Sequence, residues 1–211
     1  HNSAQSLSTA LAKNPYTKNL KKFLLGASSS ALQIEGGLDA NSAAARFYKD
    51  KAHLPTPEDA IDFYNRYESD IKQLADELHI NTYRISLAWN RIEPELGIFD
   101  KEALIFYRNV IRALLAQGIQ PMVVFHHYDV PTWFEDLGGF ELEHNGKLFQ
   151  EFCLTVYTAL SEELGECLIS LCNAPEGPAF KGYFIGDGTP GEKNNLQKTH
   201  TVIANMYYEL I

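Results

Sequence analysis

Four short apolar runs of strand character alternate with longer stretches of helical periodicity along the 211 residues, and this alternation limits the available folds more than any other feature. After a polar lead-in over residues 1–19, Phe23 to Ser30 (FLLGASSS) reads as the first strand, an apolar start running into small residues. Residues 36–55 show no clear period and read as a loop. Thr56-Pro57-Glu58-Asp59 then offers a capping residue, a proline at the first helical position and early acids, which predicts a helix start. Ala60, Tyr64, Tyr67, Ile71, Leu74 and Leu78 follow at steps of three and four and so share one face of that helix.

Residues 81–89 (NTYRISLAW) set large apolar side chains against Thr, Arg, Ser and Ala in alternation, the period of a strand with unlike faces, with Arg84 on the polar or small side. Asp100 caps a second helix lined by Leu104, Tyr107, Ile111 and Leu114, and Gly118 suits its left-handed terminator. Gln120 to His127 is the third strand, apolar enough from Met122 to Phe125 for burial on both faces. A third helix is expected from about Lys147 to Leu164, stopped by Gly165, and a fourth strand from Cys167 to Asn173. Leu196, His200, Ile203, Tyr207 and Leu210 mark the face of a fourth helix. The whole predicts one α/β domain over residues 20–211 with a parallel sheet, either doubly wound or closed as a barrel. Periodicity alone does not separate the two. The absence of GxGxxG after the first strand, and of GxxxxGK(S/T) anywhere, removes the main support for the nucleotide-binding doubly wound folds.

Charge narrows the partners. Eighteen Lys and Arg stand against 27 Asp and Glu, a formal net charge of -9, which opposes the counterion release that nucleic-acid and anionic-membrane binders exploit. A small neutral or polar partner fits better. Cys153, Cys167 and Cys172 form an odd set without CxxC spacing, so reduced thiols are expected, with no metal site and no cofactor implied. No signal-type segment and no apolar run of membrane length is seen, so the expectation is a soluble, cytoplasmic protein. The start His1-Asn2-Ser3 lacks an initiator Met, which suggests a processed, truncated or recombinant product.

In a parallel barrel the carboxyl ends of the strands surround the ligand, and here those ends read Gln33-Ile34-Glu35-Gly36, Trp89-Asn90-Arg91, His126-His127-Tyr128-Asp129 and Asn173-Ala174-Pro175-Glu176. Amides, imidazoles, carboxylates and aromatic rings are what a sugar needs: its hydroxyls want paired donors and acceptors, and its C–H face packs on rings. Phosphate chemistry would want more cations.

These segments resemble those of the family 1 glycoside hydrolases, the family of many β-glucosidases. FLLGASSSALQIEG (residues 23–36) is similar to that family's FLWGAATSAYQIEG. Asp62 to Tyr67 with Asp70 and Ile71 resembles its DxYxRYxxDI pattern, Tyr83 to Ser86 and Trp89 to Pro94 its YRFSISWSRIxP stretch, and His127 to Pro131 its HWDxP. The ordered set covers most of the chain. The resemblance implies a (β/α)8 TIM-barrel type fold of which only the first four βα units are present, a half-barrel. It also implies that Gln33 and His127 hydrogen-bond hydroxyls of the sugar, that Asn173 contacts the 2-hydroxyl and that Arg84 supports the nucleophile. Trp89 and Tyr128 are candidates to floor the sugar or, equally, to serve as core, and His126 reads as a structural neighbour. Arg84 needs a partner in any reading, because an unpaired buried guanidinium is too costly, and that partner is expected in the half-barrel that is not here.

The fourth strand departs from the family pattern. The family's triplet there is Asn-Glu-Pro, its Glu the general acid and base, whereas this chain has Asn173-Ala174-Pro175. Retaining hydrolysis uses two carboxyl groups about 5 to 5.5 Å apart, and a methyl group neither gives nor takes a proton. Glu176 is the nearest substitute, at a position beyond the motif. The family's nucleophile comes from a motif near the seventh strand, which this chain lacks. Further departures are Tyr128 for Trp, Asn65 for His and Phe140 for Trp. The expectation is therefore part of a β-glycosidase-like protein, inactive as this chain alone. Its expected partners are a β-glycoside or other small carbohydrate and either the remaining half-barrel or a second copy. The alternatives are a non-catalytic sugar-binding or scaffolding protein and a self-associating half-barrel.

Overall fold

The computed structural model describes residues 23–38, 40–49 and 60–208. Four parallel strands, β1 (Gly26–Ser28), β2 (Thr82–Ser86), β3 (Gln120–His126) and β4 (Leu168–Cys172), lie in one sheet in sequence order. The register pairs Gly26 with Thr82, Thr82 with Gln120 and Met122 with Leu168. Consecutive parallel strands as sheet neighbours, each pair bridged by helix, put all four carboxyl ends at one end of the sheet. That end carries the candidate site.

The helices are α1 (Ala31–Ile34), α2 (Ala43–Tyr48), α3 (Phe63–Asp76), α4 (Trp89–Ile92), α5 (Lys101–Ala116), α6 (Thr132–Asp136), α7 (Gly146–Ala159), α8 (Ser161–Leu164), α9 (Glu176–Ala179) and α10 (Leu196–Tyr208), with a π-helical stretch over Phe180–Ile185. α5 forms as the sequence suggests: Asp100 accepts from the backbone N–H groups of Glu102 and Ala103, and Gly118 follows the helix at φ +70°. Its Phe106, Tyr107, Val110, Ile111 and Leu114 are buried, with Phe106 against Tyr64 and Tyr67 of α3. A second cluster gathers around Trp89, whose ring stacks on Phe152 of α7 at 5.0 Å and also meets Phe134 and Phe149.

Several expectations need correction. The first strand is confined to Gly26–Ser28, and the supposed loop over 36–55 holds α2, too short a helix to show a period. The predicted cap at Thr56 to Asp59 lies outside the described residues. α3 begins at Phe63, and Leu78 lies beyond its end, exposed, so the helical face closes at Leu74. The second strand stops at Ser86, because Trp89 already belongs to α4. The helix expected through Leu164 breaks at Leu160, giving α7 and α8, and the fourth strand is one residue shorter at each end. In α10 the buried positions are Thr199, Val202 and Met206, with Ile203 partly covered. Leu196, His200 and Tyr207 face outward, and Leu210 lies outside the described residues. The helix is turned this way because Asn205 donates to the carbonyls of Phe140 and Glu141, docking the opposite face on that turn.

Candidate active site

At the carboxyl end of β1 the chain turns at Ser30 into α1. The N–H of Ala31 donates to Ser86 Oγ at 2.8 Å, fixing the turn to the end of β2. Gln33, exposed on α1, accepts from Ser30 Oγ at its Oε1 (2.8 Å). That bond orients the amide and leaves its N–H donors for another partner.

Arg84 projects from β2 and donates from Nη2 to Asn173 Oδ1, just beyond β4, at 2.7 Å. The partner expected from an absent half-barrel is thus supplied, in neutral form, by this chain. No ion pair joins Arg84 to a carboxylate among the described residues, and the bond to Oδ1 leaves the Asn173 amide N–H donors for another partner. Asn173 is itself held by its backbone N–H, which donates to the carbonyl of His126 at 2.9 Å.

His126 ends β3, and His127, expected within the strand, lies just beyond it. His126 is buried, its Nδ1 beside Cys172 Sγ at 3.2 Å, as expected of a structural neighbour. His127 faces the cleft. Burial first, and the nearby Arg84 charge second, lower its pKa to about 4, so its imidazole is neutral at pH 7. Its Nδ1 is buried and has no hydrogen-bond partner among the described residues. Tyr128 follows at φ +72°, shares a short hydroxyl contact with Tyr48 of α2, and has Lys181 Nζ 5.5 Å from its ring centre. Burial, then the Tyr48 hydroxyl, pushes its own hydroxyl pKa up, keeping it a neutral donor.

Gln33, Tyr48, His127, Tyr128, Asn173, Ala174 and Lys181 all line one cleft of about 540 Å³, within the size range of small-ligand sites. Leu32, Ile61 and Pro178 supply apolar wall. Sequence reasoning missed Tyr48 and Lys181: the first sits in a stretch without a legible period, the second in a helical turn after β4 that no motif marks. Ala174 stands at the cleft at φ +43°. Glu176, two residues on, opens α9, is exposed and is not part of the cleft wall. Trp89 is not a floor for a sugar. It is 1% exposed inside its aromatic cluster, and its Nε1 donates to Glu93 at 2.7 Å.

Two buried carboxyl groups of the strand-end segments brace the cleft from behind, and neither lines it. Glu35 accepts from Tyr107 Oη and Arg91 Nε. Asp129 accepts from Ser42 Oγ (2.6 Å) and from the N–H groups of Ala44 and Val130, tying α2, and with it Tyr48, to the end of β3. Burial raises both, Glu35 to about 7 and Asp129 to about 6, against the hydrogen bonds that pull them down. Their signal was a carboxylate set inside otherwise apolar or aromatic motif segments, QIEG and HYDVP, where water-facing acids are out of place.

No three His, Cys, Asp or Glu side chains gather as a metal site among the described residues, and none of the described helices is long and apolar enough to cross a membrane. The three cysteines are free and partly covered, their thiols pushed up to about 11 or 12 chiefly by burial.

The sequence profile of glycosyl hydrolase family 1 matches residues 16–208. The chain belongs to glycosyl hydrolase family 1. Its similarity extends to β-glucosidase A of Acetivibrio thermocellus, 30% identical over 196 residues, which cover 88% of this chain and 43% of that protein. β-Glucosidase A of Thermotoga maritima is 28% identical, covering 92% of this chain and 47% of that protein. Among solved structures, the AHE enzyme from Alicyclobacillus herbarius superposes with a TM-score of 0.80 at 30% identity. The Thermotoga maritima β-glucosidase in complex with castanospermine does so at 0.81 and 27% identity. Each match covers 89% of this chain and 43% of that one. The chain thus spans less than half the length of these family 1 relatives, and its sheet fits the first half of their (β/α)8 barrel.

Proposed function

We propose that this chain forms the sugar-binding side of a family 1 β-glucosidase-like barrel and does not turn over a glycoside by itself. In this reading Gln33 and His127 hydrogen-bond sugar hydroxyls, Asn173 takes the 2-hydroxyl, Tyr128 covers the C–H face, and Arg84 holds Asn173 while supporting a nucleophile from elsewhere. The observation that carries it is the convergence of Gln33, His127 and Asn173, from three separate strand ends, on one cleft in which position 174 offers only a methyl group. A neutral imidazole and two oriented amides supply donors and acceptors together, which suits neutral hydroxyls. An Ala at 174 cannot protonate a leaving oxygen, and Glu176 stands outside the wall.

The test has two arms. Methyl β-glucoside should bind the chain, with binding weakened at least threefold by His127→Ala, the scale of one neutral hydrogen bond, and an aryl β-glucoside should release no phenol. Turnover abolished by Glu176→Gln would defeat the inactivity; no binding at millimolar sugar would defeat the sugar site.

The rims of the sheet favour completion by further strands. Among the described residues β1 and β4 each have a single strand neighbour, and Leu168, Ile169 and Leu171 of β4 are exposed. Either the remaining half-barrel or a second copy answers this; sedimentation of the chain alone, expected to show self-association that Ile169→Lys reduces, separates the two.

A further inference from the structure

We propose that Glu35 is a positioning residue for the cleft: its charged pairing with Arg91 holds α1, and through α1 the sugar-facing Gln33, so that the charge on Glu35 sets how well the cleft grips a sugar. This rests on the sugar-binding reading of Gln33. Glu35 is 2% exposed and closes α1 two residues after Gln33, its backbone N–H donating to Ala31. Four ties meet at this carboxyl-bearing turn. Oε2 accepts from Arg91 Nε at 3.1 Å; Arg91 Nη2 donates to the carbonyl of Gly36 at 2.7 Å; Oε1 accepts from Tyr107 Oη at 2.7 Å; and the N–H of Tyr64 donates to the Glu35 carbonyl at 3.1 Å. α1 is only four residues long and has no side-chain cap. Its position is therefore set by these ties to α3, α4 and α5, together with the Ser86 bond at its start.

Protonation disturbs the arrangement in a definite way. The Tyr107 oxygen already accepts from the N–H of Ala88 at 2.7 Å and gives its single proton to Glu35. A proton on Oε1 sets two donors against one another, and a proton on Oε2 does the same against Arg91 Nε. The charge that Arg91 pairs with is lost in either case, leaving Arg91, stacked 4.2 Å from the centre of the Tyr64 ring, less firmly placed behind Gly36. Burial of Glu35, opposed by Arg91 and then by the Tyr107 hydrogen bond, brings this event to about pH 7. The charged or titratable groups around Glu35 are Arg91 on α4, Tyr107 on α5 and Tyr64 on α3. The Tyr107 hydroxyl is pushed well above its ordinary range by burial, so it stays protonated. Elsewhere, Asp129 titrates near 6 just beyond β3, and His127 near 4.

The experiment follows the Gln33 side-chain amide by NMR in the full 211-residue chain, from about pH 5.5 to about pH 8.5, and titrates methyl β-glucoside, which carries no ionisable group, at each pH. The Gln33 amide should move with a midpoint near that of the Glu35 carboxyl, and the sugar Kd should rise about three- to tenfold on acidification, the loss of one neutral hydrogen bond. Glu35→Gln, a permanently neutral copy, should abolish both dependences and bind as the acid form of the wild type does. A stationary Gln33 amide in the wild type overturns the proposal, and this arm needs neither the variant to fold nor a sugar to bind. A moving amide with no sugar binding at any pH overturns the sugar reading instead. A pH-dependent Kd retained in Glu35→Gln assigns the effect to Asp129 and overturns the role of Glu35.

Discussion

β3 and β4 run side by side in one parallel sheet, yet Val123, Val124 and Phe125 of β3 are at most 1% exposed while Leu168, Ile169 and Leu171 of β4 are about 40% exposed, ranging from 38% to 42%. Their side chains are equally apolar. The difference lies in neighbours: β3 is flanked by β2 and β4 and packs Phe125 toward Phe152, whereas among the described residues β4 has β3 alone. An apolar strand is stabilising only where something covers it, so the middle of this half-barrel is finished by the chain itself and its rim is not. The same contrast divides the cleft. Its β1 and β3 sides are braced from behind by Glu35 and Asp129, while the residues after β4, from Ala174 to Lys181, have no such buried anchor among the described residues.

The sharpest way to break that contrast is a pair of truncations. Trp89→Ala, in the covered region, should cost about 3–5 kcal/mol, the price of a cavity among Phe134, Phe149 and Phe152. Leu171→Ala on the rim should cost less than about 1 kcal/mol in the monomeric chain, because it truncates a side chain that is already 38% exposed. Urea unfolding of the two variants checks both. If Leu171→Ala were as damaging as Trp89→Ala, β4 would be covered in solution.

A smaller effect probes the bond between the two regions. Arg84 lies on the covered β2 and reaches Asn173 after β4, so Asn173→Ala should destabilise by about 1–3 kcal/mol by leaving a half-buried guanidinium without its acceptor. Arg84→Gln tests the electrostatic side. Burial is the main reason that His127 titrates near 4, with the Arg84 charge second, so removing that charge should raise the His127 pKa while leaving it below the ordinary histidine value. An NMR titration of the His127 ring reads this directly. No movement would mean that solvent screens Arg84 from the imidazole.

What the sequence disclosed follows the same division. Period and caps located β2, β3 and α5, where local preference and burial agree, and the strand-end motif segments pointed to Gln33, His127 and Asn173, which line one cleft. Trp89 was harder to read, because a large ring at a strand end packs inward or outward with the same local pattern, and only the phenylalanines of α6 and α7, more than 40 residues away, decide it. The face of α10 was misread for a related reason. Leu196 and Tyr207 fit a helical stripe, but the docking of Asn205 on the Phe140 turn, a contact across 65 residues, selects Thr199, Val202 and Met206. Glu35 and Asp129 stood out only as acids within apolar or aromatic segments, and the partners that bury them, Arg91 and Tyr107 for one and Ser42 for the other, lie more than 50 residues away.

The smallest effect concerns the strain at the unbraced side of the cleft. Ala174 sits at φ +43°, a conformation that costs an L-residue about 1–2 kcal/mol. Glycine removes that cost, but it brings back roughly 0.5–1 kcal/mol of unfolded-chain freedom, so Ala174→Gly should stabilise by only about 0.5 kcal/mol. Thermal unfolding at matched concentration resolves the sign. A loss in place of a gain would mean that the Ala174 methyl group packs against a neighbour firmly enough to outweigh its backbone strain, and the side of the cleft after β4 would then be better braced than the exposure of Ala174 suggests. A gain would give Ala174→Glu, the change that restores a carboxyl group at this position, the same strained backbone to carry, since a longer side chain relieves none of it.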